Sequence, residues 1–201
     1  VAVMGESHGD HLEKVGKVLR RFELNGVSIK MSKCKFGISE MEFLGHLVVA
    51  GEGCKMNPDR VKDLLKMERP KSSSQMKSLL GATGYYQRFC PDYAMVVKPL
   101  RDLDKAAMTK DGDLPYWGDA EQKAFMGLKA LLASEPVLAL PKFDGRPMVV
   151  LTDCSAQAMG ACLVQYDDEG MERPIAYISK ELTKAEKRYG ISDREGLAAT
   201  W

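Results

Sequence analysis

The chain has 201 residues, long enough for one large or two small domains with a real hydrophobic core. Its 45% hydrophobic and 28% charged residues are those of an ordinary globular protein, and no run approaches the ~20 apolar residues of a membrane span. The formal net charge of +1 excludes a chain that binds nucleic acid through overall charge alone.

Charge distribution says more than the total. Between Cys54 and Lys105 there are eleven Lys/Arg against six Asp/Glu, a local excess that fits either a phosphate-facing surface or a solvated helical one. The five cysteines (Cys34, Cys54, Cys90, Cys154, Cys162) form no CxxC pair and no zinc spacing with His8, His11 or His46. An odd cysteine count without a secretory signal points to reduced thiols in an intracellular compartment.

In chain order, Leu12, Val15, Val18, Leu19 and Phe22 recur at helical spacing from Asp10 to Asn25, where Asn25-Gly26 supplies a stop. Val27–Met31 reads as a short strand. The apolar run Met41–Val49 and the turn Gly51-Glu52-Gly53 read as a hairpin. Asn57 as N-cap with Pro58 at the first helical position starts a helix running to Arg69, before Pro70. Ser72 with Gln75 fits a capping box, opening a helix to Phe89 that Pro91 stops. A short helix covers Ala94–Leu103, and the polar stretch Lys105–Pro115 reads as a loop or domain boundary. Ala120–Ala133 carries one apolar helical stripe, against which Trp117 is expected to bury. Strands follow at Val137–Leu140, Met148–Asp153, Met159–Gln165 and Pro174–Ser179, then a helix from about Ser192.

Two constellations carry chemistry. Asp153 closes an apolar strand ahead of a Ser/Ala/Gly turn, and Glu195 opens the last helix; if they converge, two carboxylates could share a divalent cation. Lys77, Gly81 and Tyr85, at i, i+4, i+8, share one helix face. A bare centre flanked by an aromatic ring and a cation suits either a nucleic-acid minor groove or close helix–helix packing with Tyr85 in the core. Tyr166-Asp167-Asp168 reads as plain turn chemistry, Asp193 as a charge favourable at a helix N-terminus, and Glu186 as a residue outside the carboxylate pair.

The ordered pieces Phe43-Leu-Gly-His46, Pro70-Lys-Ser72, Leu80-Gly-Ala-Thr-Gly-Tyr-Tyr-Gln-Arg-Phe89, Lys98-Pro-Leu100, Tyr116-Trp117, Ala124-Phe-Met-Gly-Leu-Lys129, Pro136-Val-Leu138, Leu151-Thr-Asp-Cys-Ser155, Pro174-Ile-Ala-Tyr-Ile-Ser179 and Ala185-Glu-Lys-Arg-Tyr189 resemble the polyprotein of gypsy-class long-terminal-repeat retrotransposons. The resemblance runs from about residue 11 to the end. It implies an α/β (α+β, multidomain) architecture: residues 1–55 as the end of a reverse-transcriptase palm, 56–115 as a helical thumb, 116–145 as a connecting helix and strand, and 146–201 as the beginning of an RNase H-like domain.

The resemblance also implies roles. Phe43, Leu44, Gly45 and His46 correspond to the hairpin that grips the primer, and Lys77, Gly81 and Tyr85 to the thumb face that tracks a template–primer duplex. Asp153 and Glu195 correspond to the first two RNase H carboxylates, ligands of Mg²⁺ or Mn²⁺ in a two-metal hydrolysis of the RNA strand of RNA–DNA hybrids. The implied setting is intracellular (cytoplasm, virus-like particle or nucleus), with the rest of the polyprotein and a nucleic-acid duplex as partners and no membrane. In the family pattern the polymerase motif Tyr-x-Asp-Asp precedes Val1 and two further carboxylates follow Trp201, so the chain reads as a fragment, catalytically silent by itself. Cys154 stands where the pattern has Ala. The alternative reading is a decayed or domesticated element fragment acting at most as a nucleic-acid-binding module.

Overall fold

A computed structural model describes residues 1–106, 114, 116–134 and 136–201, so most of the boundary expected at Lys105–Pro115 lies outside the described residues. The architecture is mixed α/β, with two antiparallel sheets and six α-helices among the described residues. Helix α1 (His8–Leu24) is capped by Ser7, whose hydroxyl accepts from the Asp10 amide. Its apolar stripe buries no residue.

The first sheet has strand order β1 (Glu40–Phe43), β2 (His46–Val49), β3 (Gly53–Met56), β4 (Val137–Leu138). The apolar run expected as one strand is split, because Leu44 and Gly45 both adopt positive φ, 48° and 71°. Two successive left-handed residues make the two-residue turn whose twist matches paired strands. The expected Gly51–Gly53 turn then returns the chain into β3. Val27–Met31 forms no strand; it leads into a 3₁₀ turn at Met31–Lys33, for want of a neighbour to pair its backbone.

Helix α2 (Pro58–Lys66) begins as its cap predicts, with Asn57 Oδ1 accepting from the Asp59 and Arg60 amides at 3.0 and 3.3 Å. It ends before Arg69, and Lys129 donates to the carbonyls of Leu65 and Met67 at 2.7 and 2.8 Å. Helix α3 (Ser73–Gly84) is capped by Ser72, but Gln75 accepts from the Lys71 amide, one residue earlier than a capping box requires. A 3₁₀ turn (Gln87–Phe89) separates it from α4 (Tyr93–Ala106). Helix α5 (Asp119–Ala133) carries the predicted apolar face, and Trp117 is buried edge-on against Phe125 at 5.9 Å.

The main core gathers Met76, Leu79, Phe89, Val97, Leu100, Leu128, Leu132 and Leu138 from α3 to α5 and β4. The second sheet is β5 (Val149–Cys154), β6 (Ala158–Tyr166), β7 (Glu172–Glu181), followed by α6 (Ile191–Thr200). The β6–β7 register shifts between Leu163 and Val164, where Val164 pairs with Pro174. Proline is tolerated at such an irregularity because it has no ladder amide to give. All five cysteines are free thiols, and no described helix is long and apolar enough to cross a membrane.

Candidate functional site

The tip of the β1–β2 hairpin and the end of α3 form one assembly. The Tyr85 hydroxyl donates to the Leu44 carbonyl, and the Tyr86 hydroxyl donates to the Gly45 carbonyl at 3.2 Å. Gly45 has both left-handed φ and a tyrosine ring against it: an added Cβ would meet the Tyr85 hydroxyl at 3.0 Å. His46 lies against Tyr85 with centroids 4.9 Å apart, and also meets Tyr86 edge-on and Phe89. Burial, with Arg88 adding to it, holds the His46 imidazole below its ordinary pKa, so it is neutral at physiological pH. Its Nδ1 is buried without a hydrogen-bond partner. Phe43–His46 and Tyr85, read from the sequence as separate features, thus meet across 41 residues.

Along α3 the exposed residues Lys77 and Gly81 continue toward Tyr85, which is 49% exposed. A Cβ on Gly81 would meet nothing within 4 Å, so Gly81 is not a helix-packing site. The neighbouring helix is met instead at Gly84, where an added Cβ would lie 3.6 Å from the Tyr93 hydroxyl, which also bonds Thr83 at 2.9 Å. Lys77, Gly81 and Tyr85 form an open rail ending at the Leu44 tip, itself 74% exposed. Sequence reasoning missed Tyr86 and Arg88, although the Tyr-Tyr pair after Gly84 was the available signal.

The carboxylates lie on the second sheet and the helix that follows it. Cys154, at the end of β5, packs with Met159, Leu182, Leu197 and Ala198 to seat α6, and Arg194 donates to the Ser155 carbonyl at 3.2 Å. Strand alternation turns Asp153 to the other face, into a shallow groove with Leu151, Gly160, Cys162, Tyr177 and the Pro91–Asp92 corner. Glu195 is exposed on α6 beside Arg194. Both charges act on the Cys154 thiol: burial raises its pKa most, Arg194 opposes, and Glu195 and Asp153 raise it further. Among the described residues neither carboxylate is in an ion pair, and no three His, Cys, Asp or Glu side chains are grouped to hold a metal. The donor chemistry therefore suits a hard divalent cation in kind, while the number of ligands falls short.

The other acidic residues have structural work. Glu186 accepts from the Thr183 amide at 2.6 Å and from Lys180 at 3.0 Å, while its own amide donates to the Thr183 hydroxyl. These contacts, the Thr183 amide first, lower its pKa to about 2. Asp167 accepts from the Glu169 and Met171 amides and from Arg173, and Asp168 pairs with Arg146 at 3.0 Å, as expected of a plain turn.

Comparison with known proteins bears directly on this arrangement. The family described as the RNase H-like domain found in reverse transcriptase matches residues 117–201. The whole chain is 35% identical over 207 residues to the Retrovirus-related Pol polyprotein from transposon opus of Drosophila melanogaster, covering 20% of that protein. Its homologues over the whole chain are retrotransposon Pol polyproteins, and residues 117–201 match the RNase H-like domain of reverse transcriptase. The chain is also 32% identical over 209 residues to the transposon gypsy polyprotein of that fly, again across 100% of the chain and 19% of the relative. Against the Tf2-3 polyprotein of Schizosaccharomyces pombe the identity is 31%, over 98% of the chain and 14% of the relative. The chain thus spans about a fifth or less of these relatives' length. Its fold matches the foamy viral protease-reverse transcriptase in complex with RNA/DNA hybrid, with TM-score 0.77, 20% identity, and 98% of this chain on 26% of that one. A related foamy viral structure in complex with ds DNA gives TM-score 0.78 at 19% identity, over 98% of this chain and 33% of that one.

Proposed function

We propose that this Pol segment holds a template–primer or RNA–DNA duplex along the rail from Lys77 through Gly81 and Tyr85 to the Leu44 tip, and contributes Asp153 and Glu195 to hydrolysis of the RNA strand. The observation that carries this reading is the joined hairpin and helix end, with Gly81 facing open space beside the exposed Tyr85. The solved relatives in complex with ds DNA and with RNA/DNA hybrid support it. Lys77 meets phosphate, the bare Gly81 backbone permits close approach, and Tyr85 packs on sugars. A divalent cation, Mg²⁺ or Mn²⁺, would neutralise charge at the scissile phosphate; Asp153 would hold it from the groove face of β5, while Glu195 would act from α6, on the opposite face of that strand. The five free thiols fit an intracellular setting.

A second reading, a nucleic-acid-binding module without hydrolysis, draws on the two-carboxylate count. One substitution separates them. In a Pol polypeptide containing this segment, Asp153→Asn should abolish RNA-strand cleavage and leave DNA synthesis nearly intact. Undiminished cleavage with intact duplex binding would favour the module. For binding itself, Lys77→Gln should lower the slope of log affinity against log salt by about 1.

A further inference from the structure

Two of the motifs with no place in the site above, Lys98-Pro-Leu100 and Pro174–Ser179, meet in the structure. Helix α4 begins at Tyr93 after Asp92, a non-glycine residue at φ 53°. Asp92 gives α4 its backbone carbonyl, which accepts from the Met95 and Val96 amides at 2.9 and 3.1 Å. The amide of Ala94, in the first turn, donates instead to the hydroxyl of Ser179 on β7 at 2.9 Å. A helix's first amides lack partners within the helix, so Ser179 supplies from another element what an N-cap residue supplies locally. One turn further on, Lys98 reaches Glu181 of β7 at 3.5 Å, while also pairing with Asp102. Glu181 in turn accepts from Lys187 at 3.0 Å. Nearby, Arg88 donates to the Ile175 carbonyl at 3.4 Å, and Tyr177 packs against the main core.

These contacts join elements on either side of the boundary of the matched region. Ser179 and Glu181 lie inside the matched RNase H-like region, residues 117–201, whereas α4 and the α3 rail lie outside it. The same sheet carries Asp153 on the face turned toward Pro91–Asp92. A shift of β7 along α4 would therefore move Asp153 relative to Tyr85.

We propose that Ser179 and the Lys98–Glu181 pair are positioning residues, which lock the RNase H-like sheet onto α4 and so fix the distance along the duplex between the Tyr85 rail and the point of RNA cleavage. The inference rests on the functional reading above. None of the three side chains touches the reacting atoms; each acts by holding β7 in register with α4.

The test has two arms. In the first, hydrogen exchange is measured on this chain. Ser179→Ala should speed exchange of the Ala94 amide about fivefold, the equivalent of a lost cap, while Ser179→Thr retains protection. Unchanged Ala94 exchange in Ser179→Ala overturns the lock. In the second, a Pol polypeptide containing the segment cuts an end-labelled RNA–DNA hybrid whose DNA primer end fixes the starting position. Wild type should give a sharp band of cleavage lengths, and Ser179→Thr the same band. Ser179→Ala should spread the band over neighbouring positions, with total cleavage and DNA synthesis retained. Glu181→Gln should spread it similarly, and serves alone if Ser179→Ala does not fold. An unaltered sharp band in Glu181→Gln and in a folded Ser179→Ala overturns positioning. Cleavage that persists in Asp153→Asn instead overturns the functional reading, and leaves the Ala94 exchange result standing.

Discussion

The imidazole of His46 lies nearly parallel to the ring of Tyr85, 13° between planes, while the Tyr85 hydroxyl is spent on the Leu44 carbonyl. The tyrosine proposed to meet a duplex with its outer face is thus also the latch of the hairpin tip. The two roles separate by substitution. Tyr85→Phe keeps the stack and loses the bond to Leu44, at about 1 kcal/mol of folding stability. Tyr85→Ala loses the aromatic pairing as well, about 0.5–1.5 kcal/mol more, together with the proposed duplex contact. Urea denaturation of the chain reads the stability steps, and anisotropy with a labelled RNA–DNA duplex reads the contact. Duplex affinity unchanged in Tyr85→Ala would remove Tyr85 from the interface.

The same imidazole makes the fold sensitive to mild acid. Burial first, then the positive Arg88, lower the His46 pKa from its ordinary 6.5. At a pH between the folded and unfolded values the unfolded chain binds more protons, so stability rises with pH there. His46 therefore costs nothing above 6.5, and its neutral burial becomes a growing penalty as pH falls below that value toward the folded one. Urea midpoints should fall with pH across this window in wild type and more gently in His46→Gln. Parallel profiles for the two proteins would show that His46 titrates alike folded and unfolded.

Much of this was legible locally. Asn57-Pro58 and Ser72 marked helix starts because caps are short-range chemistry, and Trp117 and the Ala120–Ala133 stripe announced their own burial. Two local patterns misled. A leucine is unusual in a left-handed turn, so Leu44-Gly45 hid inside an apolar run, and Val27–Met31 had strand composition without a strand to pair with. The long-range relationships left no local mark. That Tyr85 bonds Leu44, or that Ser179 caps α4, depends on how distant elements pack. Motif order singles out Asp153 and Glu195, yet the sheet face that Asp153 takes follows only from the β5–β6 register, and the place of Glu195 from the seating of α6.

The join between the two sheets turns on one glycine. Gly53 sits at φ 133°, and a Cβ there would overlap the Leu138 carbonyl oxygen where β4 pairs with β3. Leu138 is fully buried in the main core, and the next residue, Ala139, donates to the Pro174 carbonyl of β7 at 2.7 Å. Neither the backbone carbonyl nor the core leucine can give way cheaply, so Gly53→Ala has to displace β4. Gly51 is the fitting control: φ is also positive, 78°, but a Cβ would enter open space. Gly51→Ala should cost only the conformational term, about 1–2 kcal/mol. Gly53→Ala should cost the comparable strain of about 1–3 kcal/mol and, in addition, the lost β3–β4 pairing and part of Leu138's burial. Paired urea titrations decide it: equal destabilisation by the two substitutions would mean that β4 yields freely, and that the first sheet is not tied to the second through Leu138 and Ala139.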